Sequence, residues 1–509
     1  MHFCHVRSPQ TGQIICLPES LAEKASIVAG PAVISELPLL PFPSPVSEEP
    51  PLFAPDIRSV LYGKELLLDE LPFTIHELAA LLQSQHMTIR SGLKQTENGF
   101  CCQRCHNSAK QFFGVFPCAR CGQSCVYCRH CLMMGRISAC SALFRWNGPA
   151  PPISYEAVCT WEGTFSPGQA QASRAIISTI IQKGERLIWA VCGAGKTEIL
   201  FPGIEHALQN GGRVLLATPR TDVVVELLPR LQAVFPKTDI IGLYGKSEDK
   251  QKTAPLVIAT THQTMRFADA FDTVIIDEVD AFPFSQDKSL VQAVAKAKKQ
   301  HAALIYLTAT PTPALKKRVK NKQLPVTKIP RRFHGYPLPV PRFKWCGYWQ
   351  KRLENGKLPH SVERWCASHI ATNTPAFLFV PSVNVLWKTT EILQKTYPSV
   401  MGVHSEDEER QHKVAAFRKG EIPLLVTTTI LERGVTVAGV EAAVFGAEAE
   451  VFTESALVQI AGRTGRKKET PAGDVVFFHA GKTRAMLDCR RHITAMNEED
   501  AEGGKRNNA

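Results

Sequence analysis

The sequence predicts an α/β protein in which two parallel-sheet domains stand in tandem behind a small cysteine-rich module. Three observations carry this prediction. Beyond about residue 160, short β-branched and apolar runs alternate with longer helical patterns, which is typical of βαβ units. The alternation stops in a proline-rich stretch at 330–341 and then begins again. Upstream of both, eight of the sixteen cysteines lie between residues 101 and 131.

Length and composition narrow the class of protein. A chain of 509 residues with 44% hydrophobic content can bury the cores of two to four domains. No run approaches 18 uninterrupted apolar residues, which excludes a transmembrane helix. Residues 1–9 lack a charged-then-apolar signal pattern, so we expect a cytoplasmic protein. The net charge of +12 favours an anionic partner, either nucleic acid or a membrane surface.

The first element in chain order is an N-terminal region at residues 1–95. Seven prolines between positions 38 and 55 block both helices and sheet ladders, so this segment is predicted to be an extended linker. The apolar runs 66–71 and 78–82 predict short helices. No chemistry is attached to this region.

The second element is the cysteine-rich module, placed at residues 96–147. Two Cys-x-x-Cys knuckles, 102–105 and 118–121, are separated by twelve residues, as in a zinc ribbon. In a chain that is not exported, clustered cysteine pairs indicate metal ligands rather than disulfides, although a redox role is the competing interpretation. The predicted Zn²⁺ ligands are Cys102, Cys105, Cys118 and Cys121. Cys125, Cys128, Cys131 and Cys140 would complete a second site or exchange with the second knuckle, and Cys101 is a reserve ligand.

The remaining elements are the two sheet domains, placed at residues 155–335 and 345–500. The ten predicted strands are 186–191, 213–218, 256–261, 273–277, 303–308, 376–380, 400–404, 424–428, 440–445 and 474–478. The last nine residues, 501–509, are predicted to be disordered because they are polar and rich in glycine and charge.

A phosphate-binding pattern follows the strand at 186–191. The loop reads Gly193-Ala-Gly195-Lys196-Thr197 and opens a helix. Small residues let backbone N–H groups wrap phosphate oxygens, and the helix N-terminus favours anions. In such loops the lysine reaches the β- and γ-phosphates, and the hydroxyl binds Mg²⁺. The pattern predicts a site for ATP with Mg²⁺.

A pair of carboxylates follows the strand at 273–277. Asp277 and Glu278 lie 81 and 82 residues beyond Lys196. At the carboxyl end of a parallel strand, Asp277 is placed to hold Mg²⁺. Glu278 is placed to polarise the water that attacks the γ-phosphate. Together with the phosphate loop, this pair predicts hydrolysis of ATP.

The order and spacing of these motifs resemble superfamily-two helicases. The resemblance also covers 165–169, Thr308-Ala-Thr310 and the Gly-Arg-x-Gly-Arg run at 462–466. It implies two RecA-like domains, with Gln169 reading adenine and Thr308 and Thr310 coupling the sites. Arg463 and Arg466 would stabilise the transferred phosphate, Arg466 being the first choice. By the same resemblance Arg220, Thr261 and Thr428 contact the nucleic-acid backbone. Thr436 departs from the pattern, because many relatives carry aspartate there.

Much of the positive charge lies in one segment. Residues 310–352 contain twelve Lys or Arg and no Asp or Glu, with six interleaved aromatic residues. Basic tracks with stacking faces suit single-stranded DNA, so Arg331 and Arg332 are predicted contacts. The alternative is a connector whose aromatic side chains pack and whose lysines face water.

Four segments together resemble the ComFA family, the late-competence ATPases of transformable Gram-positive bacteria. They are Tyr62–Asp69, Cys128–Arg136, Trp189–Lys196 and Ile329–His334. The resemblance implies an ATPase dependent on single-stranded DNA at the inner, cytoplasmic face of the cell membrane. It would draw transforming DNA through the ComEC channel, with ComFC and DprA as partners. The oligomeric state, the polarity and any duplex unwinding are left open.

Three other functions compete with this one. A PriA-like replication-restart helicase also carries zinc-binding cysteines, but there they interrupt the motor, whereas here they precede it. An RNA helicase is disfavoured because the acidic motif ends in Val279-Asp280 rather than Ala-Asp. A nucleotide-switched scaffold with slow hydrolysis is disfavoured by Glu278 and by the two arginines at 463 and 466.

Overall fold

The computed structural model describes residues 1–9, 11–50, 55–152, 156–433, 437, 439–465 and 473–506. Its helices are α1 (Pro55–Leu61), α2 (Ala79–Gln83), α3 (Pro167–Ile181), α4 (Phe201–Gln209), α5 (Thr221–Val234), α6 (Lys288–Ala297), α7 (Pro313–Lys320), α8 (Trp349–Glu354), α9 (His360–Ala371), α10 (Val383–Gln394), α11 (Arg410–Lys419), α12 (Glu454–Ala461) and α13 (Arg484–Arg506). None of these described helices is long and apolar enough to cross a membrane.

The strands up to the phosphate loop are β1 (Phe3–Arg7), β2 (Ile14–Pro18), β3 (Ile27–Ala32), β4 (Glu65–Leu67), β5 (Met87–Ser91), β6 (Leu93–Thr96), β7 (Gly99–Cys102), β8 (Phe113–Cys118), β9 (Gln123–Cys128), β10 (Ile137–Ser138), β11 (Ala142–Trp146) and β12 (Glu185–Ala190). The later strands are β13 (Val214–Thr218), β14 (Ile240–Leu243), β15 (Leu256–Thr260), β16 (Phe271–Asp277), β17 (Lys298–Thr308), β18 (Val326–Ile329), β19 (Arg342–Trp345), β20 (Ala376–Phe379), β21 (Met401–Val403), β22 (Leu424–Thr427), β23 (Glu441–Phe445) and β24 (Val475–His479).

The chain forms two compact units. The first unit comprises Met1–Glu162, Ile177–Glu185 and Pro202–Ile305, and the second comprises Gly163–Ile176, Arg186–Phe201 and Tyr306–Ala509. The strand and loop of the phosphate-binding pattern therefore belong to the second unit, although they precede most of the first sheet in sequence. The domain bounds given above remain predictions.

The first unit begins with small antiparallel sheets. One has the order β2-β1-β3 and another the order β4-β11-β5. Phe3, Leu61 and Phe144 are fully buried in one hydrophobic core that joins these two sheets. The cysteine-rich module adds the sheet β10-β9-β8 and the hairpin of β6 and β7. The shared core joins the first two sheets into one packed region.

The first unit also holds four neighbouring strands in the order β14-β15-β13-β16, and these strands pair in parallel. Their apolar runs are buried, as expected for parallel strands that are covered on both faces. The register pairs Thr218 with Thr260 and Ala217 with Ile276. The ends of β13, β15 and β16, and hence Asp277, therefore lie along one edge of the sheet.

The second unit contains the parallel pair β12 and β18, in which Leu187 lies opposite Val326. It also contains a sheet of six strands in the order β19-β24-β23-β20-β22-β21. Its described strand pairs are all parallel, and Phe379 and Phe445 are fully buried in it. The predicted α/β class, with two RecA-like parallel-sheet domains behind a cysteine-rich module, is confirmed.

All ten predicted strands are present, but two other predictions are wrong. Residues 66–71 were predicted to be helical, but Leu66 and Leu67 end β4, where they pair with Phe144 and Leu143, and only Leu68–Glu70 form a short 3-10 helix. Long-range pairing overrides the helical pattern there. The backbone of residues 501–506 continues α13, so the prediction of disorder fails for those residues, while 507–509 lie outside the described residues.

The proline-rich segment contains neither helix nor strand across 38–50, as its composition predicts. It is nevertheless attached to the rest of the unit. The Val46 N–H donates to the carbonyl of Asn147 at 3.0 Å, and the Phe42 ring lies under the guanidinium of Arg90. The segment thus packs on the module that it precedes.

Candidate functional site

The phosphate loop is shaped by its two glycines. Gly193 and Gly195 have φ angles of 79° and 70°, which side chains other than glycine rarely adopt. A Cβ on Gly195 would also overlap the amide of Gln169. Lys196 and Thr197 are half-buried, so their side chains are accessible. The backbone conformation is the one that a phosphate-wrapping loop requires.

Gln169 connects the start of α3 to this loop. Its side chain is almost fully buried, its Oε1 accepts from the Ser166 N–H at 2.9 Å, and its Nε2 donates to the Ala194 carbonyl at 2.9 Å. Both ends of the amide are therefore engaged with the protein. The reading of adenine by Gln169 remains a prediction, and loop positioning is a role that sequence reasoning missed.

The carboxyl end of α12 packs directly on the phosphate loop within the second unit. The Cys192 thiol donates to Oε1 of Gln459 at 3.0 Å, and a Cβ on Gly462 would overlap Cys192. No role is predicted for Cys192 from the sequence. Its position immediately before Gly193 was the signal that could have identified it as part of the site.

The predicted arginines divide into one that is described and one that is not. Arg463 is buried, and its Nε donates to the carbonyl of Glu432 at 2.9 Å. Arg466, the first choice for the finger, lies outside the described residues, as does Thr436. The catalytic role of both arginines remains a prediction. Arg433, which sequence reasoning missed, is 2% exposed and donates to the Ser455 hydroxyl at 3.0 Å.

The predicted coupling residues lie in a hydrogen-bonded chain. The Thr310 N–H donates to Oγ1 of Thr308 at 2.9 Å, and the Thr310 hydroxyl contacts the Ser455 hydroxyl at 3.0 Å. Ser455 lies on α12 and also accepts from Arg433. The segment after β17 is thus connected to the helix that contacts the phosphate loop, which is what a coupling element needs.

The two carboxylates lie where the sequence places them. Asp277 ends β16, and its Oδ1 accepts from the N–H of Glu278 at 2.9 Å. Glu278 adopts a φ of 54°, and non-glycine residues with this conformation cluster at functional sites. Both side chains are half-buried. Their roles with Mg²⁺ and water remain predictions.

Two of the predicted nucleic-acid contacts have buried side chains. Thr261 is fully buried, and its N–H donates to the Thr218 carbonyl, so its hydroxyl does not reach the surface. Arg332 is 3% exposed, and its Nη1 donates to the carbonyls of Thr464 at 2.6 Å and Gly465 at 2.7 Å. Arg332 therefore holds the loop after α12, and the roles of both residues with nucleic acid remain predictions.

The other predicted contacts are accessible. Arg331 is exposed, and Arg220 and Thr428 are half-buried, so their roles with nucleic acid remain predictions. Within 310–352, the described ion pairs include those of Lys316, Lys328 and Arg342 with Glu454, Glu499 and Asp474. Trp345 and Tyr348 are 69% and 81% exposed. The segment is thus an interrupted basic track that keeps two open aromatic faces.

Eight buried cysteines form two groups that could each hold a metal ion. The first cysteine group is Cys102, Cys105, Cys128 and Cys131, and the second cysteine group is Cys118, Cys121, Cys125 and Cys140. The predicted ligands are all used, but the first-choice division into 102, 105, 118, 121 and 125, 128, 131, 140 is replaced by the alternative, in which members of the second set exchange with the second knuckle. Cys102 and Cys105 group with Cys128 and Cys131, whereas Cys118 and Cys121 group with Cys125 and Cys140.

The donor geometry fits zinc. In each group the four Sγ atoms lie within 4.8 Å of one another. Three Sγ–Sγ distances are 3.6, 3.7 and 3.7 Å. A tetrahedron with Zn–S bonds of about 2.3 Å has edges of about 3.8 Å, whereas a disulfide needs about 2.05 Å. The arrangement therefore suits two structural zinc sites and excludes disulfides within these three pairs.

The hairpin of β8 and β9 explains the division of the cysteines. Its register places Cys118 opposite Gln123 near the tip and Cys128 opposite Phe113 at the base. Cys118 and Cys125 are therefore on the tip side, whereas Cys128 is carried back toward the first knuckle. The spacing of the cysteines contains no information about this register, so it could not reveal the division.

Buried charges fasten the N-terminal region to the first parallel sheet within the first unit. Lys64 is 1% exposed, and its ammonium donates to the Lys252 carbonyl at 2.6 Å and the Lys250 carbonyl at 3.3 Å. Burial lowers the pKa of Lys64 to about 7, and the nearby Arg213 and Arg266 act in the same direction. The lysine thus contributes hydrogen bonds at the cost of a buried charge.

Glu65, the next residue, lies among three cations. Its carboxylate pairs with Arg90, Arg145 and, at 3.1 Å, Lys296 of α6. Burial raises the pKa of Glu65, but the three cations outweigh burial and hold it below its usual range. The pKa of Lys296 is lowered as well. Burial is the main cause and Arg90 acts in the same direction, whereas the bond to Glu65 acts in the opposite direction.

Three family models match consecutive parts of the chain. They are the competence protein ComFA N-terminal domain at residues 48–145, the type III restriction enzyme res subunit at 162–313 and the helicase conserved C-terminal domain at 360–468. The competence protein ComFA of Bacillus subtilis is 48% identical over 446 residues, covering 88% of this chain and 96% of its own. The chain belongs to the ComFA family of competence proteins. The cysteine-rich module thus lies within the ComFA N-terminal match.

A second ComFA relative, from Streptococcus pneumoniae, is 37% identical over 78% of this chain and 90% of its own. Among solved structures, the DEAD-box helicase Mss116 bound to ssRNA has a TM-score of 0.49 at 15% identity, covering 62% of this chain and 69% of that one. That likeness is too low to carry an argument. The matched helicase domains themselves indicate that this ComFA protein is an ATP-dependent, helicase-like enzyme.

Proposed function

We propose that this ComFA protein is an ATPase that depends on single-stranded DNA and pulls the incoming strand during uptake of transforming DNA. One observation carries the proposal: the phosphate loop, in the wrapping conformation set by Gly193 and Gly195, is packed against the helix that ends in the Gly-Arg-x-Gly motif. The loop that we propose binds ATP is thus in direct contact with α12, the helix that leads into this motif. Membership of the ComFA family supports the role in uptake.

Each residue of the nucleotide site then has a role. Lys196 binds the β- and γ-phosphates, and the hydroxyl of Thr197 and the carboxylate of Asp277 hold Mg²⁺, which neutralises charge on the transferred phosphoryl group. Glu278 accepts a proton from the attacking water. Arg463 and Arg466 stabilise the charge that develops during transfer, which arginine fingers do by about 10³–10⁵ in rate.

Hydrolysis must be coupled to movement along the strand. The hydrogen bonds from Thr310 to Ser455 and from Ser455 to Arg433 lie between the segment after β17 and α12. A conformational change at the phosphate loop is transmitted to α12 through the hydrogen bond between Cys192 and Gln459. This route gives the nucleotide state a physical means to alter the coupling segment.

The DNA contacts and partners complete the proposal. Arg220, Arg331 and Thr428 bind the strand through its backbone, since hydroxyls and guanidinium groups suit phosphate contacts that ignore base sequence. The protein acts at the cytoplasmic face of the membrane beside the ComEC channel, with ComFC and DprA as partners. Its turnover cycle draws a single strand without the need to separate a duplex.

The deciding experiment measures steady-state ATP hydrolysis alone, with single-stranded DNA and with RNA. We expect strong stimulation by single-stranded DNA only. Lys196→Ala should abolish turnover while single-stranded DNA still binds, and the exposed Lys246→Ala serves as the matched control. Equal rates with DNA, RNA and buffer would favour a nucleotide-switched scaffold. Loss of DNA binding together with turnover in Lys196→Ala would assign the loop to folding.

A further inference from the structure

A closed ring of side-chain contacts joins the first cysteine group to the turn after β15. The carboxylate of Glu70 accepts from the guanidinium groups of Arg104 and Arg266. Arg104 Nη1 donates to the Met134 carbonyl at 2.9 Å, and Arg266 Nε donates to Gln263 Oε1 at 3.0 Å. The ring closes where Gln263 Nε2 donates to the Met134 sulfur at 3.5 Å.

The members of the ring come from two places in the chain. Arg104 lies inside the first knuckle, between Cys102 and Cys105, and Met134 follows Cys131 by three residues. Gln263 and Arg266 bound the short turn that follows β15. Glu70 belongs to neither place, and it is the residue that holds both arginines.

The side chains of this ring are buried, and burial restricts their movement. Arg104 is fully buried, and Met134, Gln263 and Arg266 are at most 8% exposed. Charge-assisted bonds to a carboxylate are about twice as strong as neutral ones, and breaking such a pair in the interior leaves an uncompensated charge. The turn therefore has one arrangement that satisfies all five side chains.

A second contact lies on the other side of the same turn. His130, between Cys128 and Cys131, pairs with Asp287 at 3.2 Å, and Asp287 caps the start of α6. His262 is the half-exposed member of the turn, since Thr261 and Gln263 are buried. The pKa of His262 is lowered by burial, and both Asp287 and His130 lie near enough to influence it. His262 is thus flanked by two connections to the first cysteine group.

We propose that Glu70 is a positioning residue: by holding Arg104 and Arg266 together, it makes the first cysteine group the support that fixes the turn 262–266 for contact with single-stranded DNA. This inference rests on the proposed function, because the turn begins directly after Thr261, which the helicase resemblance assigns to the nucleic-acid backbone, and its first residue, His262, is half-exposed. The metal module then acts on DNA affinity through the turn and not through the ATP site.

The test compares Glu70→Gln with Asp69→Asn in the full chain. The neighbouring Asp69 pairs with the exposed Arg120 and is the matched control. We expect Glu70→Gln to raise the concentration of single-stranded DNA that gives half-maximal ATPase stimulation at least fivefold. Basal turnover, turnover at saturating DNA and zinc content should stay within twofold of wild type. Asp69→Asn should match wild type throughout.

A second readout needs no DNA. Hydrogen exchange at the amides of 262–266 should be at least fivefold faster in Glu70→Gln, because the turn loses its anchor. Should Glu70→Gln fail to fold, Met134→Leu removes the sulfur acceptor at nearly constant volume and should shift both readouts in the same direction.

Several outcomes overturn the inference. Unchanged half-maximal DNA concentration with unchanged exchange would show that the ring does not position the turn. An equal shift in Asp69→Asn would show a general effect of local charge. If single-stranded DNA fails to stimulate even the wild type, the proposed function fails, and the exchange comparison alone then decides whether Glu70 fixes the turn.

Discussion

The two Cys-x-Arg-Cys knuckles share a sequence pattern and lie in different surroundings. In the first knuckle Arg104 is fully buried and pairs with Glu70. In the second knuckle the side chain of Arg120 is 41% exposed and pairs with Asp69 at 2.7 Å, and that carboxylate is 65% exposed. Two adjacent acidic residues thus hold the equivalent arginines of the two knuckles.

Burial decides what each pair contributes. An exposed ion pair is worth under about 1 kcal/mol, because water and salt screen it. Breaking a buried pair costs about 3–5 kcal/mol, because the remaining charge is uncompensated. The first knuckle is therefore fastened to the first parallel sheet through Glu70 and Arg266, while the second knuckle mainly orders its own hairpin. Identical ligand chemistry supports two different tasks.

The largest expected effect is on zinc content. Two double variants separate the cysteine groups: Cys118→Ser with Cys140→Ser, and Cys102→Ser with Cys118→Ser. The first removes ligands from one group and should reduce bound zinc from two ions per chain to one. The second breaks both groups and should remove both ions. Metal analysis of the purified chains measures the ratio.

The opposite pattern of zinc loss would contradict the division of the cysteines seen in the structure. If the second variant kept one ion and the first lost both, the division predicted from spacing would be right. Structural zinc contributes directly to folding, so we also expect the chain that lacks both ions to lose the module's protection from proteolysis.

The next largest effect is expected from Arg104→Met. Glu70 keeps Arg266, so the cost falls at the lower end of the range for a broken buried pair, about 3 kcal/mol. Urea unfolding, monitored by a signal from the first unit, gives the free energy of unfolding. A loss below about 1 kcal/mol would show that Arg104 is no better placed than its counterpart in the second knuckle.

The pH dependence of stability tests the contribution of one buried acidic residue, Glu65. The pKa of Glu65 in the folded protein lies below its ordinary value near 4.5. The stability from its three ion pairs is therefore fully present above about pH 4.5 and is lost as pH falls through the lowered value. The difference in free energy of unfolding between wild type and Glu65→Gln should be constant from pH 7 to 5 and shrink below. A difference that widens on acidification would contradict this sign.

The smallest effect is expected from Arg120→Met. Removing the exposed partner of Asp69 should change the free energy of unfolding by under about 1 kcal/mol, and 0.5 M NaCl should mask most of the change. The same urea titration as for Arg104→Met makes the two values comparable. Equal losses in the two variants would mean that burial does not distinguish the knuckles.

The parallel strands and the phosphate loop could be predicted from the sequence because their signals are local. A buried parallel strand is a continuous apolar run, and the loop needs glycine at fixed offsets. The helical assignment of 66–71 failed because Leu66 and Leu67 pair with residues more than seventy positions away. Such pairing leaves no trace in a short window of sequence.

The unforeseen features of the candidate site have a similar origin. Thr261 and Arg332 were assigned to DNA by position in a motif or a basic segment, and tertiary packing buries both. The contacts that bury a side chain come from elements distant in sequence. The identities of the eight metal ligands were recoverable from spacing, whereas their division depended on the register of the β8–β9 hairpin.

The interleaving of the two cysteine groups has a consequence for synthesis of the chain. Counted from the N-terminus, three ligands of the second group are already present before the first group receives Cys128 and Cys131. Neither tetrad exists until Cys131 has left the ribosome, and the second waits for Cys140. Six of the eight ligand thiols are therefore exposed together on the nascent chain before any site can close. The two sites are therefore completed in sequence: a chain that ends between Cys131 and Cys140 keeps the first group whole, whereas a chain that ends before Cys131 completes neither.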